Sequence, residues 1–362
     1  MQHELESRSD FRLVLVMSGG SALGAYQAGA YQALHERSLE PDWVVGASAG
    51  AVNGAVICGN PREDRVEKLE ALWHVSAGGG LSADALGHAA DVARRTQVAA
   101  LTFASGEQDW FVPRAVYGPW WNPFANPEPA SLYDASPLEK RLPQLLDFTA
   151  LNAGAPRFSA AAVDVRSGED IIFDTRTHAI TPRHLRAAAA LLPTFSPVEV
   201  EGRLVADAGV SANLPLDAVL SAEFDRPLLC IAIDLLPLAA PAPHGLGGTI
   251  ARAQDLIFAS QSRRSIAAWQ AIYGERVRQG QANAVTLLHV SYADQSREVS
   301  GKAFDFSRLS AEARWRAGYR DLALALDAAR SLPAAEPGLR VHALGRDGVL
   351  EAVEWQLLPM TA

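Results

Sequence analysis

Gly46-Ala47-Ser48-Ala49-Gly50 is a G-x-S-x-G set between two contrasting stretches. Before it, the Pro41-Asp42 turn leads into the apolar run Trp43-Val44-Val45, and after it Ala49 to Cys58 is small and helix-compatible. Strand, sharp turn and helix in that order form a nucleophile elbow, which exposes the serine oxygen at the bend. Gly46 and Gly50 leave room where a Cβ would clash. The amide of Ala49 then faces a substrate oxygen, with the positive end of the new helix behind it. A chain with 28 glycines also produces this pattern by chance, so its surroundings decide the reading.

One strand earlier, Phe11 to Met17 is apolar and runs straight into Ser18-Gly19-Gly20-Ser21-Ala22-Leu23-Gly24, with a helix predicted from Ala25 to Glu36. A glycine turn at a helix N-terminus presents free amides and a favourable dipole to an anion. A dinucleotide fingerprint is the competing reading, with Glu40 or Asp42 as its ribose acid. It requires G-x-G-x-x-G, and Gly19, Gly20 and Gly24 do not fit that spacing. A serine elbow one strand later favours an oxyanion hole.

The chain has 362 residues, a net charge of −9 and two cysteines. The length allows one large core, or a core with an extension. Cys58 and Cys230 lie in apolar surroundings, which predicts buried free thiols and no disulfide framework or metal cluster. Met1 to Asp10 is polar and charged, unlike a secretory leader, and reads as a disordered tail. Leu228 to Leu238 is the longest apolar run, but Asp234 interrupts it and Pro237 ends it, as in a buried strand. The acidic balance argues against nucleic acid as a partner and against simple attraction to anionic lipid. A cytoplasmic enzyme is the expectation.

Further along, Arg62 to Val75 has Val66, Leu69, Leu72 and Trp73 on one side of an amphipathic helix, and Gly78-Gly79-Gly80 marks a break. Ser159 to Val165 and Asp170 to Phe173 alternate as strands around a Ser167-Gly168 turn. Pro237 to Gly248 reads as a linker. Beyond it, helices are predicted over Thr249 to Val277 and Ser310 to Arg330, with a short strand at Val285 to Val290.

Pro193-Thr194-Phe195-Ser196-Pro197 leads to Asp207-Ala208-Gly209, followed by Asn213-Leu214-Pro215. With Gly19 to Gly24 and Gly46 to Gly50, this gives three motifs in the order of the bacterial patatin-like phospholipases, which residues 11 to 235 resemble. Three departures stand out: Ser21 at the usual third loop glycine, Leu23 where many members have Arg or Lys, and Ala208 in place of glycine. Serine adopts positive φ less readily than glycine. Arg314-Trp315-Arg316-Ala317-Gly318-Tyr319 resembles a C-terminal domain of unknown function attached to some of these proteins.

The resemblance implies a three-layer α/β/α patatin-like fold with a mostly parallel central sheet. The catalytic domain would span 11–236 and a helix-rich C-terminal extension 249–362. It implies a serine acyl hydrolase acting on phospholipids or lysophospholipids through a Ser48–Asp207 dyad. The amides of Gly19, Gly20, Ser21 and Ala49 would hold the oxyanion, and Gly24, Gly46, Gly50 and Gly209 would be the motif glycines. Neither metal nor cofactor is needed for this chemistry. An acyltransferase using the same serine, or a non-catalytic scaffold, are the alternatives.

The residues themselves leave the base open. An ordinary α/β-hydrolase puts a histidine after its acid and several strands before its serine, whereas only two predicted strands precede Ser48. His244, His289 and His342 follow Asp207, and none has a motif around it. A carboxylate is a weak base for an alcohol unless the site excludes water and holds the hydroxyl in contact. Asp109 to Tyr133 is Pro- and aromatic-rich. It reads either as a lipid-docking cover, with Trp120 and Trp121 at a membrane surface, or as packing beneath the C-terminal extension.

Overall fold

The computed structural model describes residues 11–75, 87–114 and 131–355. The expected tail at 1–10, the glycine break at 78–80, and Trp120 and Trp121 lie outside these residues.

Apolar residues in β1 (Arg12–Met17) and β2 (Trp43–Ala47) are buried on both faces, as a parallel sheet covered by helices requires. Leu13, Leu15 and Met17 point into one core with α1 (Ala25–Glu36), α2 (Ala49–Cys58) and α3 (Arg65–Trp73). Val14 and Val16 point into a second core on the opposite face. Next come α4 (His88–Ser105), the short pair β3 (Val112–Pro113) and β4 (Tyr133–Asp134), α5 (Ser136–Leu145) and α6 (Phe148–Asn152). β5 (Arg157–Asp164) and β6 (Asp170–Asp174) form the expected hairpin. They precede α7 (Pro182–Ala188), β7 (Val198–Val200), β8 (Arg203–Asp207), α8 (Asp217–Leu220) and β9 (Leu228–Asp234).

The chain then continues through α9 (Gly245–Arg278), β10 (Ala284–Ser291), α10 (Arg308–Ala329), β11 (Gly338–Leu344) and β12 (Leu350–Ala352). The strand order is β12-β11-β10-β9-β1-β2-β5-β8-β7, with β6 also on β5. Every pairing from β11 to β5 is parallel. This is the α/β/α fold with a mostly parallel sheet. α9 covers the face of the second core through Ile266 and Tyr273, while α10 covers the first through Trp315, Leu322 and Leu326.

The C-terminal segment is thus woven into the sheet: β10 falls on the strand expected at Val285 to Val290, and β11 and β12 add two strands that were not anticipated. β11 escaped the sequence reading because Arg340 and His342 dilute its apolar pattern. α9 begins at Gly245, inside the stretch read as a linker, although its first turn holds three glycines of poor helix propensity. Among the described residues, no helix is long and apolar enough to cross a membrane.

Candidate active site

β2 ends at Ala47, and the chain reverses at Ser48 with φ 52° and ψ −124° before entering α2. That backbone is costly for a non-glycine residue and occurs at strained functional turns. Its neighbours make it possible. A Cβ on Gly46 would lie 2.3 Å from the Gly50 carbonyl carbon, and one on Gly50 2.3 Å from the Met17 oxygen. Both glycines are therefore obligatory for the close approach of turn and strand. The Ser48 N–H donates to Ala188 O at 3.1 Å, which fixes the elbow from the end of α7.

The glycine loop after β1 lies against this elbow. A Cβ on Gly19 would meet Ser48 Cβ at 2.9 Å, and one on Gly24 would come within 3.1 Å of Ala49 Cβ. Buried amides hold the loop at both ends. Gln27 donates to Ser18 O at 2.7 Å, and Asn53 donates to Gly24 O at 2.9 Å and to the Gln27 oxygen at 3.0 Å. Trp73 completes the chain by donating to Asn53 at 2.8 Å.

Of the four amides expected to face an oxyanion, one is already engaged: Gly19 N–H donates to Asn213 O at 3.1 Å. Gly20, Ser21 and Ala49 have no backbone acceptor for their N–H among the described residues, as befits positions at helix starts. Ser21 adopts φ 52°, the region where glycine would be cheaper. Its hydroxyl donates to Ala303 O at 2.8 Å, an interaction glycine cannot make, and this gives the departure at this position a physical role.

Asp207 reaches the elbow through strand register. β2 pairs with β5 up to Ala47↔Ala161, and β8 then pairs with β5 from Ala162↔Asp207 onward. The C-terminal ends of β2 and β8 therefore meet, one residue apart along β5. Asp207 N–H donates to Ala190 O at 3.1 Å, so the same stretch after α7 fixes both Ser48 and Asp207. The Asp207 carboxylate is 1% exposed. Its Oδ1 accepts from Gly209 N–H at 2.7 Å, while Oδ2 is buried without a hydrogen-bond partner. Burial pushes the carboxyl up from 3.8 to about 6, against the opposing pull of the Ser48 hydroxyl and the Gly209 amide. Such a group is ionised at neutral pH yet more basic than a solvated aspartate.

Ser48, Asp207, Gly20, Ser21 and Ala49 line one cavity, with about 1020 Å³ of empty space including its mouth. Its other walls are chiefly apolar: Leu23, Val52, Trp110, Phe111, Leu138, Phe195, Phe258, Phe304 and Phe306. The described ends of the Asp109–Tyr133 stretch follow the packing reading. Trp110, Phe111 and Tyr133 are buried, and Phe111 stacks edge-on against Tyr133, Phe195 and Phe304. Lys302 is the cavity's cationic residue. Its Nζ donates at 2.6 Å to both Asp255 and Gln295.

Among the described residues, no histidine lines the cavity. His244 is exposed before α9, and His289 sits on β10 with its Nε2 3.6 Å from Asp234. His342 is on β11. The alternative nucleotide acids are also spent elsewhere, Asp42 on Leu13 N–H and Glu40 on Arg65.

Several supporting residues carried no chemical signal in the sequence. Asn213 accepts Gly19 N–H on its carbonyl and donates Nδ2 to Gly19 O at 3.3 Å. Gln261 of α9 accepts from Asn213 N–H at 2.9 Å and donates to Gly209 O at 3.1 Å. Only the Asn-x-Pro spacing after the aspartate hinted at the first, and nothing marked the second.

An α/β/α sheet thus brings a serine elbow, an amide-rich turn and a buried carboxylate onto one apolar cavity. The chain belongs to the patatin-like phospholipases: residues 15–220 match the Patatin-like phospholipase family model, and residues 255–337 match a second model described as Patatin phospholipase. Membership supports a lipid hydrolase function. Solved structures that resemble the chain include the following two. VipD from Legionella pneumophila is 14% identical with TM-score 0.35, covering 83% of this chain and 67% of its own. The heterodimeric ExoU–SpcU complex from the type III secretion system of Pseudomonas aeruginosa is also 14% identical with TM-score 0.35, covering 91% of this chain and 53% of its own. No curated protein matches the chain.

Proposed function

We propose that the protein is a serine acyl hydrolase that cleaves ester bonds of phospholipids or lysophospholipids through a Ser48–Asp207 dyad. One observation carries the reading: strand register sets Asp207, with a buried and unpartnered carboxylate oxygen, beside the Ser48 elbow in a single apolar cavity. Ser48 Oγ attacks the acyl carbonyl as its proton passes to Asp207. The negative charge on the carbonyl oxygen is met by the N–H groups of Gly20, Ser21 and Ala49. Collapse expels the alcohol, which takes the proton from Asp207. Water then attacks the acyl-enzyme, giving one proton to Asp207 and from there to Ser48, and the acid is released.

The aromatic and aliphatic walls suit an acyl chain, and Lys302, already neutralised by Asp255, leaves no strongly charged chamber for a head group. The head group then stays at the mouth. Transient membrane-surface contact through Trp120 and Trp121 is part of this proposal; their alanine variants should lose activity on aggregated lipid and keep it on a short soluble ester.

A fluorophosphonate probe, which reacts with activated serines, tests the nucleophile. Wild-type protein should be labelled and should hydrolyse a short acyl ester. Ser48→Ala should do neither while keeping its melting temperature. Ester turnover by the variant above a few per cent of wild type rejects Ser48.

A further inference from the structure

The cavity wall supplied by the C-terminal segment is tied to the oxyanion turn at two points. Ser21 Oγ donates to Ala303 O at 2.8 Å. Deeper in, Arg314 Nη1 donates both to Ala22 O at 2.9 Å, inside the turn, and to Asp305 O at 2.7 Å, inside the wall. Its Nη2 adds Lys302 O at 3.1 Å. Arg314 is fully buried on α10. Its fork is held by Glu298 at 2.8 and 2.7 Å, and Glu298 also accepts from Arg95 at 3.3 Å. One rigid planar cation thus joins the turn that presents amides to the reacting oxygen and the segment bearing Phe304 and Phe306.

Such a joint is more than packing. An N–H donor acts on a developing oxyanion only if its position is set before the reaction, and small displacements are costly. The Gln27, Asn213 and Asn53 bonds hold the loop at Ser18, Gly19 and Gly24, but between them Gly20 has no side chain and Ser21 is held at φ 52°.

We propose that Arg314 is a positioning residue for catalysis, holding the Ser21–Gly24 turn against the 302–306 segment so that the Gly20 and Ser21 amides are aimed at the oxyanion. The proposal rests on the reading of Ser48 as nucleophile. Lysine at this position could reach one carbonyl but could not bridge two while keeping the paired contact with Glu298.

Labelling by the fluorophosphonate probe separates the possibilities, because its phosphoryl oxygen occupies the oxyanion position. Labelling to completion counts competent sites, and its rate reports the hole. Arg314→Met should lower both the labelling rate and kcat per labelled site on a short soluble ester by about 10- to 100-fold, less than outright loss of one donor at about 10²–10³. KM should change by less than about threefold. Arg314→Lys should recover part of the rate.

Ser21→Gly removes only the Ser21–Ala303 tie and suits the positive φ. It should fall about three- to tenfold with an unchanged melting temperature, and it decides the matter together with Arg314→Lys if Arg314→Met does not fold. Folded variants that label and turn over like wild type per site overturn the proposal, as does a loss confined to KM. Absence of labelling in the wild type overturns the Ser48 reading itself, and this proposal with it.

Discussion

The unit from β1 to α2 and the segment from α9 to β11 border the same cavity by opposite means. The first lines the cavity largely through backbone, at Gly19, Gly20, Ser21 and Ala49, with the Ser48 side chain among them. The second reaches back with two long polar side chains, Gln261 to the Gly209 carbonyl and Arg314 to the Ala22 carbonyl. A site made of backbone has few side chains of its own to anchor it, so the anchoring comes from elsewhere in the fold. The contrast teaches that loss in the first region should appear in chemistry, and loss in the second in stability or in partial misalignment.

The sharpest separation is expected at Asp207, where function and stability should move in opposite directions. Folding raises its carboxyl from 3.8 to about 6, so the folded chain binds this proton more tightly than the unfolded one. The destabilisation from holding the carboxylate is absent below pH 3.8 and fully present above pH 6, on the order of 3 kcal/mol. Asp207→Asn should therefore lower kcat by at least about 10² and raise the melting temperature at neutral pH. In the wild type, kcat/KM should fall on acidification with a midpoint near pH 6 as the base is protonated. Alanine at His244, His289 or His342 should leave turnover largely unchanged. A histidine variant as inactive as Ser48→Ala would replace the dyad by a triad.

The same division explains what could be read before the structure. α1 and α2 fall at Ala25–Glu36 and Ala49–Cys58 as expected, because backbone crowding at Gly46 and Gly50 restricts which residues can stand there. The family motifs also gave the fold class. β8 was missed because Arg203 to Asp207 is only five residues long and charged at both ends. α4 was missed because its eighteen residues include just two buried uncharged groups, Ala99 and Thr102, beside Asp91 and Arg95. Arg314 was beyond reach for a different reason. Its acceptors are the carbonyls of residues 22, 302 and 305, and a carbonyl leaves no mark in a sequence. The engagement of the Gly19 amide was illegible for the same reason, since its acceptor is Asn213 O.

A smaller effect, and one on stability, is expected where the two regions touch most closely. α1 and α10 cross with their backbones in contact. A Cβ on Gly29 would lie 1.9 Å from Trp315 O, and one on Gly318 1.8 Å from Tyr26 O. Gly318→Ala must push the helices apart, at about 1–3 kcal/mol for overpacking, offset in part by up to about 1 kcal/mol of helix propensity. The melting temperature should drop by several degrees, while the labelling rate per folded molecule changes little. A variant with unchanged melting temperature but slow labelling would place the sensitivity of α10 in the site and break the comparison.

The smallest effect is expected at Gln261, where the C-terminal segment supports the aspartate side of the cavity. Its amide accepts from Asn213 N–H at 2.9 Å and donates to Gly209 O at 3.1 Å, so it bridges the two residues that flank Asp207 and Gly19. Gln261→Ala removes both bonds together, about 0.5–1.5 kcal/mol each. Asp207 itself keeps its Gly209 N–H bond and its burial, and Asn213 keeps both bonds to Gly19. Asp207 and Gly19 therefore lose a brace and no direct partner. Turnover of a short ester should fall about two- to fivefold, and the acidic midpoint near pH 6 should not move. A shifted midpoint would mean that Gln261 sets the solvation of Asp207, in which case the C-terminal segment would govern the base as well as the oxyanion turn. An unchanged rate would confine that segment's influence to the Arg314 side.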